Sequence, residues 1–311
     1  MINFIAEFCQ NHLGNREILE QMIISAKDSG ATHGKLQGLY SSELTDRERF
    51  NLSDNSTYRP YKTEFERLKT LDLSPEIEFW FVNKCKSIDL IPMITVFTHL
   101  GVERARNAGF RSIKIASYDC SSIPIIKKVL EFANEIVIST GATYWNEIAK
   151  TVQTINELRK PGQKVAFLHA RTIYPTALNE TGMFRMLALN SFGFDYGFSD
   201  HSMPDKTNLD ASKIALIFGA KYIERHFTVL NKDQTKDGPV SINPEQMKEL
   251  VDFSNFSISQ KNRYFTSEFI INVMKCDSLD PSAQELKNRD YYRGRVASKI
   301  NGKLIYSWET A

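Results

Sequence analysis

Cysteine is scarce in this chain, and the four present, Cys9, Cys85, Cys120 and Cys276, form no CxxC pair and no framework spacing. A disulfide scaffold is therefore not expected, and a reducing compartment is. Long apolar runs are missing as well. None approaches membrane-spanning length and no charged-then-apolar leader opens the sequence, so a cytoplasmic protein with no membrane partner is expected. Excess charge of one sign is also lacking. With 39 Lys and Arg against 37 Asp and Glu, the net charge of +2 gives no electrostatic footprint for nucleic acid or an anionic surface. Nor does a Gly-x-Gly-x-x-Gly follow the first apolar stretch, which argues against a dinucleotide-binding, doubly wound sheet. What is there, 42% apolar and 24% charged residues in 311, suffices for a sizeable core in a globular chain.

The patterning alternates. Short buried-strand patterns fall at 4–9, 35–37, 91–97, 112–117, 135–140, 164–170, 195–200 and 222–228, and each is followed by something helical. The clearest helical stretches are 16–29, 75–87 (opened by Pro75), 102–108, 123–133, 145–158, 209–220 and 244–256, with a weaker one near 182–189. Eight strand–helix units are the number that closes a (β/α)8 TIM barrel, an α/β fold. Residues 1–260 are accordingly assigned to the barrel and 261–311 to a short C-terminal extension, in which 291–300 and 304–308 read as strands joined by Asn301-Gly302. The polar insertion at 39–73, at a strand end, reads as a binding lid or substrate wall.

Barrel enzymes place their chemistry at the carboxyl ends of the strands. Those ends carry Glu7, Lys35, Gln37, Thr95, Lys114, Ser117, Asp119, Ser139, Thr140, His169, Arg171, Ser199, Asp200, His201, Glu224 and His226. Strands covered on both faces are ordinarily apolar, so polar residues at this density on one rim are hard to explain as packing. His201 and His226 end two strands linked by one helix, which puts both imidazoles on one side of the sheet. Two neutral imidazoles suit Mn, Fe, Co or Zn and leave coordination positions open. Two lysines with hydroxyls around them suit phosphate and carboxylate groups. These residues point to a small phosphorylated anion reacting beside a metal. They do not separate an aldolase, a phosphate-releasing synthase and a metal hydrolase.

Longer motifs narrow the choice. Ile5-Ala6-Glu7 with Asn11-His12, Gly34-Lys35-Leu36-Gln37, Ile113-Lys114-Ile115-Ala116-Ser117 and Ser139-Thr140-Gly141 resemble the sialic acid synthase family. So do Leu168-His169 with Tyr174-Pro175, Ser199-Asp200-His201 and Glu224-Arg225-His226-Phe227-Thr228, in that family's order across residues 3–258. The resemblance implies condensation of phosphoenolpyruvate with the open-chain aldehyde of an N-acylated hexosamine, giving a nine-carbon 2-keto acid (a nonulosonate) and phosphate. It implies that His201 and His226 hold a divalent metal, Mn or Mg, and that Glu7 handles protons. Lys35, Thr95, Lys114, Ser117, Ser139 and Ser199 are implied to bind phosphoenolpyruvate. Gln37, Asp119, Thr172, Tyr174 and Asp237 are implied to face the acceptor sugar.

The chain departs from the family pattern at three places. His169 is followed by Ala170-Arg171-Thr172 where the family reads His-Cys-Thr-Ser, which adds a cation at the mouth. Gly238-Pro239-Val240-Ser241 replaces Gly-Pro-Asp-His, leaving Asp237 as the nearest aspartate. Residues 291–308 resemble only the start of the family's C-terminal antifreeze-like domain, so the arginine that domain lends across a dimer is expected to be absent or replaced locally by Arg293 or Arg295. The acceptor is therefore expected to differ from N-acetylmannosamine alone, and a homodimer remains a possible state. The readings set against this one are another metal-dependent barrel aldolase or lyase, which would release no phosphate, and a non-catalytic binding homologue. The latter would have lost its histidines or lysines, and all four are present.

Overall fold

The computed structural model describes residues 2–51 and 58–311. Eight parallel strands, β1 (Asn3–Cys9), β2 (His33–Gly38), β3 (Ile91–Val96), β4 (Ser112–Ile115), β5 (Glu135–Ser139), β6 (Lys164–Ala170), β7 (Asp195–Asp200) and β8 (Tyr222–His226), pair in sequence order, and β8 returns to β1. The expected (β/α)8 barrel is thus a closed barrel. Around it lie α1 (Arg16–Asp28), α2 (Tyr61–Lys69), α3 (Pro75–Ser87), α4 (His99–Ala108), α5 (Ile123–Leu130) and α6 (Trp145–Leu158). Then come α7 (Phe184–Ala188), α8 (Pro204–Thr207), α9 (Asp210–Ile217) and α10 (Pro244–Ser254). Helix starts follow from capping: Asn15 accepts from the N–H groups of Glu17 and Ile18, and Asn243 and Gln246 cap α10 reciprocally behind Pro244. Among the described residues, no helix is long and apolar enough to cross a membrane.

Alternation along each strand divides the core in two. Outward residues such as Phe8, Ile94, Ile113, Ile138, Phe167 and Ile223 pack against the helices in one large cluster. Inward residues Ile5, Met93, Val137, Ala166, Leu168 and Tyr222 form a separate cluster inside the barrel. Below that apolar layer lies a polar plug that the sequence reading did not foresee. Glu135 accepts from His33 at 2.9 Å, Ser112 at 2.5 Å and Tyr222 at 2.7 Å. Above it, one step of two residues further along each strand, come Glu7, Lys35, Thr95, Lys114, Ser139, Ser199 and Glu224.

The extension differs from its expected form. Residues 258–292 contribute α11 (Ile258–Asn262), α12 (Ser267–Met274) and α13 (Ala283–Tyr292), so Tyr291 and Tyr292 are helical rather than extended. Ser282 and Glu285 cap α13 reciprocally, a Ser-x-x-Glu start signal. The hairpin is there, as β9 (Ser298–Ile300) and β10 (Lys303–Ile305), with both Asn301 and Gly302 at positive φ. The 39–73 insertion contains α2 and two short 3-10 turns, and its residues 52–57 lie outside the described residues. It pairs with the extension: Thr45 N–H donates to Arg295 O and Ala297 N–H to Glu43 O, both at 2.9 Å.

Candidate active site

The carboxyl ends of the strands open into a cavity of about 420 Å³. Glu7, Lys35, Gln37, Thr95, Lys114, Ser117, Asp119 and Ser139 line it, as do Thr172, Tyr174, Ser199, His201, His226 and Asp237. Strand alternation is what gathers them, since inward positions on neighbouring strands are in register: Glu7 opposite Lys35 and His226, Thr95 opposite Lys114, and Ser199 opposite Glu224.

The floor is a buried cluster of two lysines and two glutamates. Glu224 Oε2 lies 2.6 Å from Lys114 Nζ and 2.9 Å from Lys35 Nζ, while Lys35 also pairs with Glu7. Ser199 donates to Glu224 Oε1 at 2.8 Å. Burial would raise Glu224, but the two ammonium groups outweigh it and hold the carboxyl well below the usual range. Burial alone would lower Lys35, and the carboxylates of Glu224 and Glu7 reverse that, holding it above its ordinary value. Lys114 goes the other way. Burial pushes it down against the pull of Glu224, Lys35 adds to the push, and it titrates at about 8. Glu224 therefore sets the charge state of the floor.

Across the cavity the rings of His201 and His226 meet edge to face with centroids 5.6 Å apart, and the Tyr174 ring lies tilted against His201 with centroids 4.2 Å apart. His201 Nδ1–H donates to Arg171 O at 2.8 Å, which turns Nε2 toward Ser199, 3.5 Å away. Burial, with His226 beside it, lowers His201 to about 3, so its imidazole is neutral, the form a metal ligand requires. His226 Nδ1 is buried with no hydrogen-bond partner among the described residues. A neutral imidazole next to one with an orphaned nitrogen fits a divalent cation. Behind them Asp200 and Arg225 form a buried ion pair at 2.7 Å. Arg225 also donates to Ser202 O and Val240 O, tying the His201 loop to the Asp237 loop.

Some strand-end residues face elsewhere. His169 lies on the outer side of β6, where its Nε2–H donates to Thr181 O at 2.7 Å. Arg171, the extra cation, pairs with Glu285 of α13 at 2.6 Å and does not line the cavity. Asp119 lines it, but its Oδ1 accepts from Ser307 at 2.7 Å and Ser122 at 3.3 Å; burial raises its carboxyl to about 6 against these bonds. Thr172 is buried in the cavity wall beside Tyr118.

Further wall residues come from outside the barrel strands. Arg59 and Arg67 from the insertion and Asn288, Tyr292 and Arg295 from the extension line the mouth. Glu64 holds three of these arginines: Arg59 at 3.0 Å, Arg67 at 2.8 Å, and Arg295 in direct contact. Burial would raise Glu64, but Arg67, Arg295 and Arg59 together bring it to about 2. Arg293, the other expected stand-in, lies instead 3.8 Å from Glu147. α13 is fastened over the mouth by Arg289, which grips Glu147 with both terminal nitrogens, and by Asn288, which donates to Thr172 O at 2.6 Å.

A family model described as the NeuB family matches residues 22–261. N,N'-diacetyllegionaminic acid synthase of Campylobacter jejuni is 26% identical over 255 residues, spanning 79% of this chain and 73% of that protein. N-acetylneuraminate-9-phosphate synthase of Drosophila melanogaster is 27% identical over 266 residues, spanning 83% and 68%. In three dimensions the chain is similar to the N-acetylneuraminic acid synthetase of Leptospira borgpetersenii, solved with citrate, at a TM-score of 0.70 and 23% identity, covering 93% of this chain and 90% of that one.

Proposed function

The chain belongs to the NeuB family, and from that premise we propose that it condenses phosphoenolpyruvate with the open-chain aldehyde of an N-acylated hexosamine, releasing phosphate and a nonulosonate. The observation that carries this reading is the union in one cavity of a lysine-bearing anion floor and a pair of imidazoles. Relatives named as synthases of legionaminic acid and of N-acetylneuraminate 9-phosphate support the product class.

In this reading Lys35 and Lys114, with the hydroxyls of Thr95, Ser117, Ser139 and Ser199, take the phosphate and carboxylate of phosphoenolpyruvate. Fixed charge placed where the phosphate leaves lowers the barrier without solvent reorganisation. A divalent metal, Mn or Mg, held by His201 and His226 would polarise the acceptor carbonyl. The enol carbon attacks that carbonyl carbon, the carbonyl oxygen gains a proton, and water adds to the resulting cationic carbon. The adduct then expels phosphate by breaking its carbon–oxygen bond. Glu7 is placed to take the proton of that water. One of its oxygens pairs with Lys35, and the other accepts from Cys9 N–H at 2.7 Å, so the carboxylate is held rigidly in the wall. Gln37, Asp119, Thr172, Tyr174 and Asp237 are assigned to the acceptor, with Asn288, Tyr292 and Arg295 closing that side in the same chain.

The test is phosphate release from phosphoenolpyruvate with a panel of aldoses after chelation and metal addition. The reading expects release that requires both metal and an N-acylated hexosamine. Consumption of phosphoenolpyruvate without phosphate would move the chain to the lyase alternative. Robust turnover of N-acetylmannosamine and no other aldose would contradict the expected shift in acceptor.

A further inference from the structure

The thiol beside the imidazole pair has no part in the reading above. Cys9 ends β1 with φ at 47°, in the left-handed region that residues with a Cβ enter only at an energetic disadvantage. That turn carries its side chain across the mouth to Asp237, 228 residues away in sequence, whose Oδ2 accepts the S–H at 2.9 Å. Donor atoms of Cys9, His226 and Asp237 all lie within 4.8 Å of one another. His226 is only 7% exposed, lines the cavity, and leaves Nδ1 without a hydrogen-bond partner among the described residues. One cation at this point would lie within reach of imidazole, carboxylate and sulfur together.

We propose that Cys9, as its thiolate, and Asp237 join His226 as ligands of the divalent metal, making this a sulfur-containing site. A thiolate shifts preference away from the hard ions Mg and Mn and toward Zn, Fe(II) or Co(II). Binding exchanges one proton for the metal: the Cys9 S–H bond breaks, the sulfur–metal bond forms, the proton leaves to solvent, and no electrons are transferred. His201 lines the same cavity, with its ring centroid 5.6 Å from that of His226. This inference rests on a divalent metal at the imidazole pair as in the reading above, revises its identity from Mn or Mg, moves Asp237 from the acceptor to the metal, and does not depend on the substrates.

The test uses the full chain, stripped with a chelator and titrated with Co(II), with absorbance followed in the near ultraviolet. A sulfur-to-cobalt charge-transfer band should grow with saturation. It should be absent in Cys9→Ser and Cys9→Gly and retained in Cys276→Ser, a half-buried cysteine elsewhere. Competition titration should show Cys9→Gly weakening Zn binding at least tenfold and Mn binding much less. Glycine suits the left-handed backbone, and circular dichroism of Cys9→Gly shows whether the variant is folded. Co(II) binding without the band, a band that survives in Cys9→Gly, or no Co(II) binding at all overturns the assignment. Phosphate release is measured on the same samples. Turnover with Co(II) but no band removes the sulfur ligand and leaves the synthase reading standing. A Cys9-dependent band without turnover of any acceptor supports this site and removes the synthase reading.

Discussion

Replacing Glu224 by glutamine would test the charge logic of the floor directly. The substitution keeps the side-chain shape and leaves two buried ammonium groups, Lys35 and Lys114, facing a single carboxylate, Glu7. Unit charges about 4 Å apart interact by about 4 kcal/mol at an effective dielectric near 20, so one lysine is driven to release its proton. Lys114 is the one, since it already titrates at about 8 with Glu224 present, while Lys35 keeps its ion pair with Glu7. In Glu224→Gln the folded protein then carries a neutral Lys114 and the unfolded chain a charged one, so the unfolded state binds one more proton. The variant's stability should therefore climb by about 1.4 kcal/mol per pH unit between roughly pH 6 and 8. The native protein, with Lys114 charged in both states below about 8, has no such slope from this group. The deficit should run from about 4 kcal/mol near pH 6 to about 1 kcal/mol near pH 8. Urea denaturation at pH 6, 7 and 8, read by the fluorescence of Trp80, Trp145 and Trp308, measures it. Inorganic phosphate restores a negative charge between the lysines and should shrink the deficit at each pH. A deficit of equal size at all three pH values, indifferent to phosphate, would refute the shared-carboxylate account.

Three further outcomes are expected. If Lys114 must be protonated to hold an anion, kcat/KM for phosphoenolpyruvate should fall by up to tenfold per pH unit above about 8, and a profile flat to pH 9.5 would contradict this. At the barrel bottom, burial would raise Glu135, but His33, Ser112 and Tyr222 bring it from 4.5 down to about 2. Its contribution, up to about 3 kcal/mol, is thus present above pH 4.5 and lost as pH falls toward 2; Glu135→Gln should lower the melting temperature at neutral pH and flatten its dependence across that window. Metal-free Cys9→Gly should stay within about 1 kcal/mol of the native protein, because relief of the left-handed backbone offsets the extra freedom of glycine in the unfolded chain. A loss of several kcal/mol in chemical denaturation would mean the thiol is there for packing.

The barrel was readable from sequence because its signals are local. Short apolar runs mark strands covered on both faces, Pro75 marks a helix start, and Asn301-Gly302 marks a hairpin without reference to the rest of the chain. The polar rim was legible for the same reason, since Lys35, Lys114, Ser199 and His226 interrupt stretches that burial on both faces would otherwise keep apolar. Alternation also separates residues on the same strand. His169 and Asp200 occupy outward positions, and reading phase as well as strand ends would have placed them outside the cavity.

Which partner each rim residue finds is a different matter, because closing the ring joins positions that no window of sequence connects. Glu224 bridges lysines from β2 and β4, Cys9 meets Asp237 across the β1–β8 seam, and Arg295 reaches Glu64 from the far end of the chain. The sequence by itself therefore determined the barrel, its polar rim and the types of group the rim carries. Tertiary structure alone decided which charges cancel and that α13 covers the mouth. Coulomb energy and desolvation depend on distances of a few ångströms, and those distances exist only once the strands have closed on themselves.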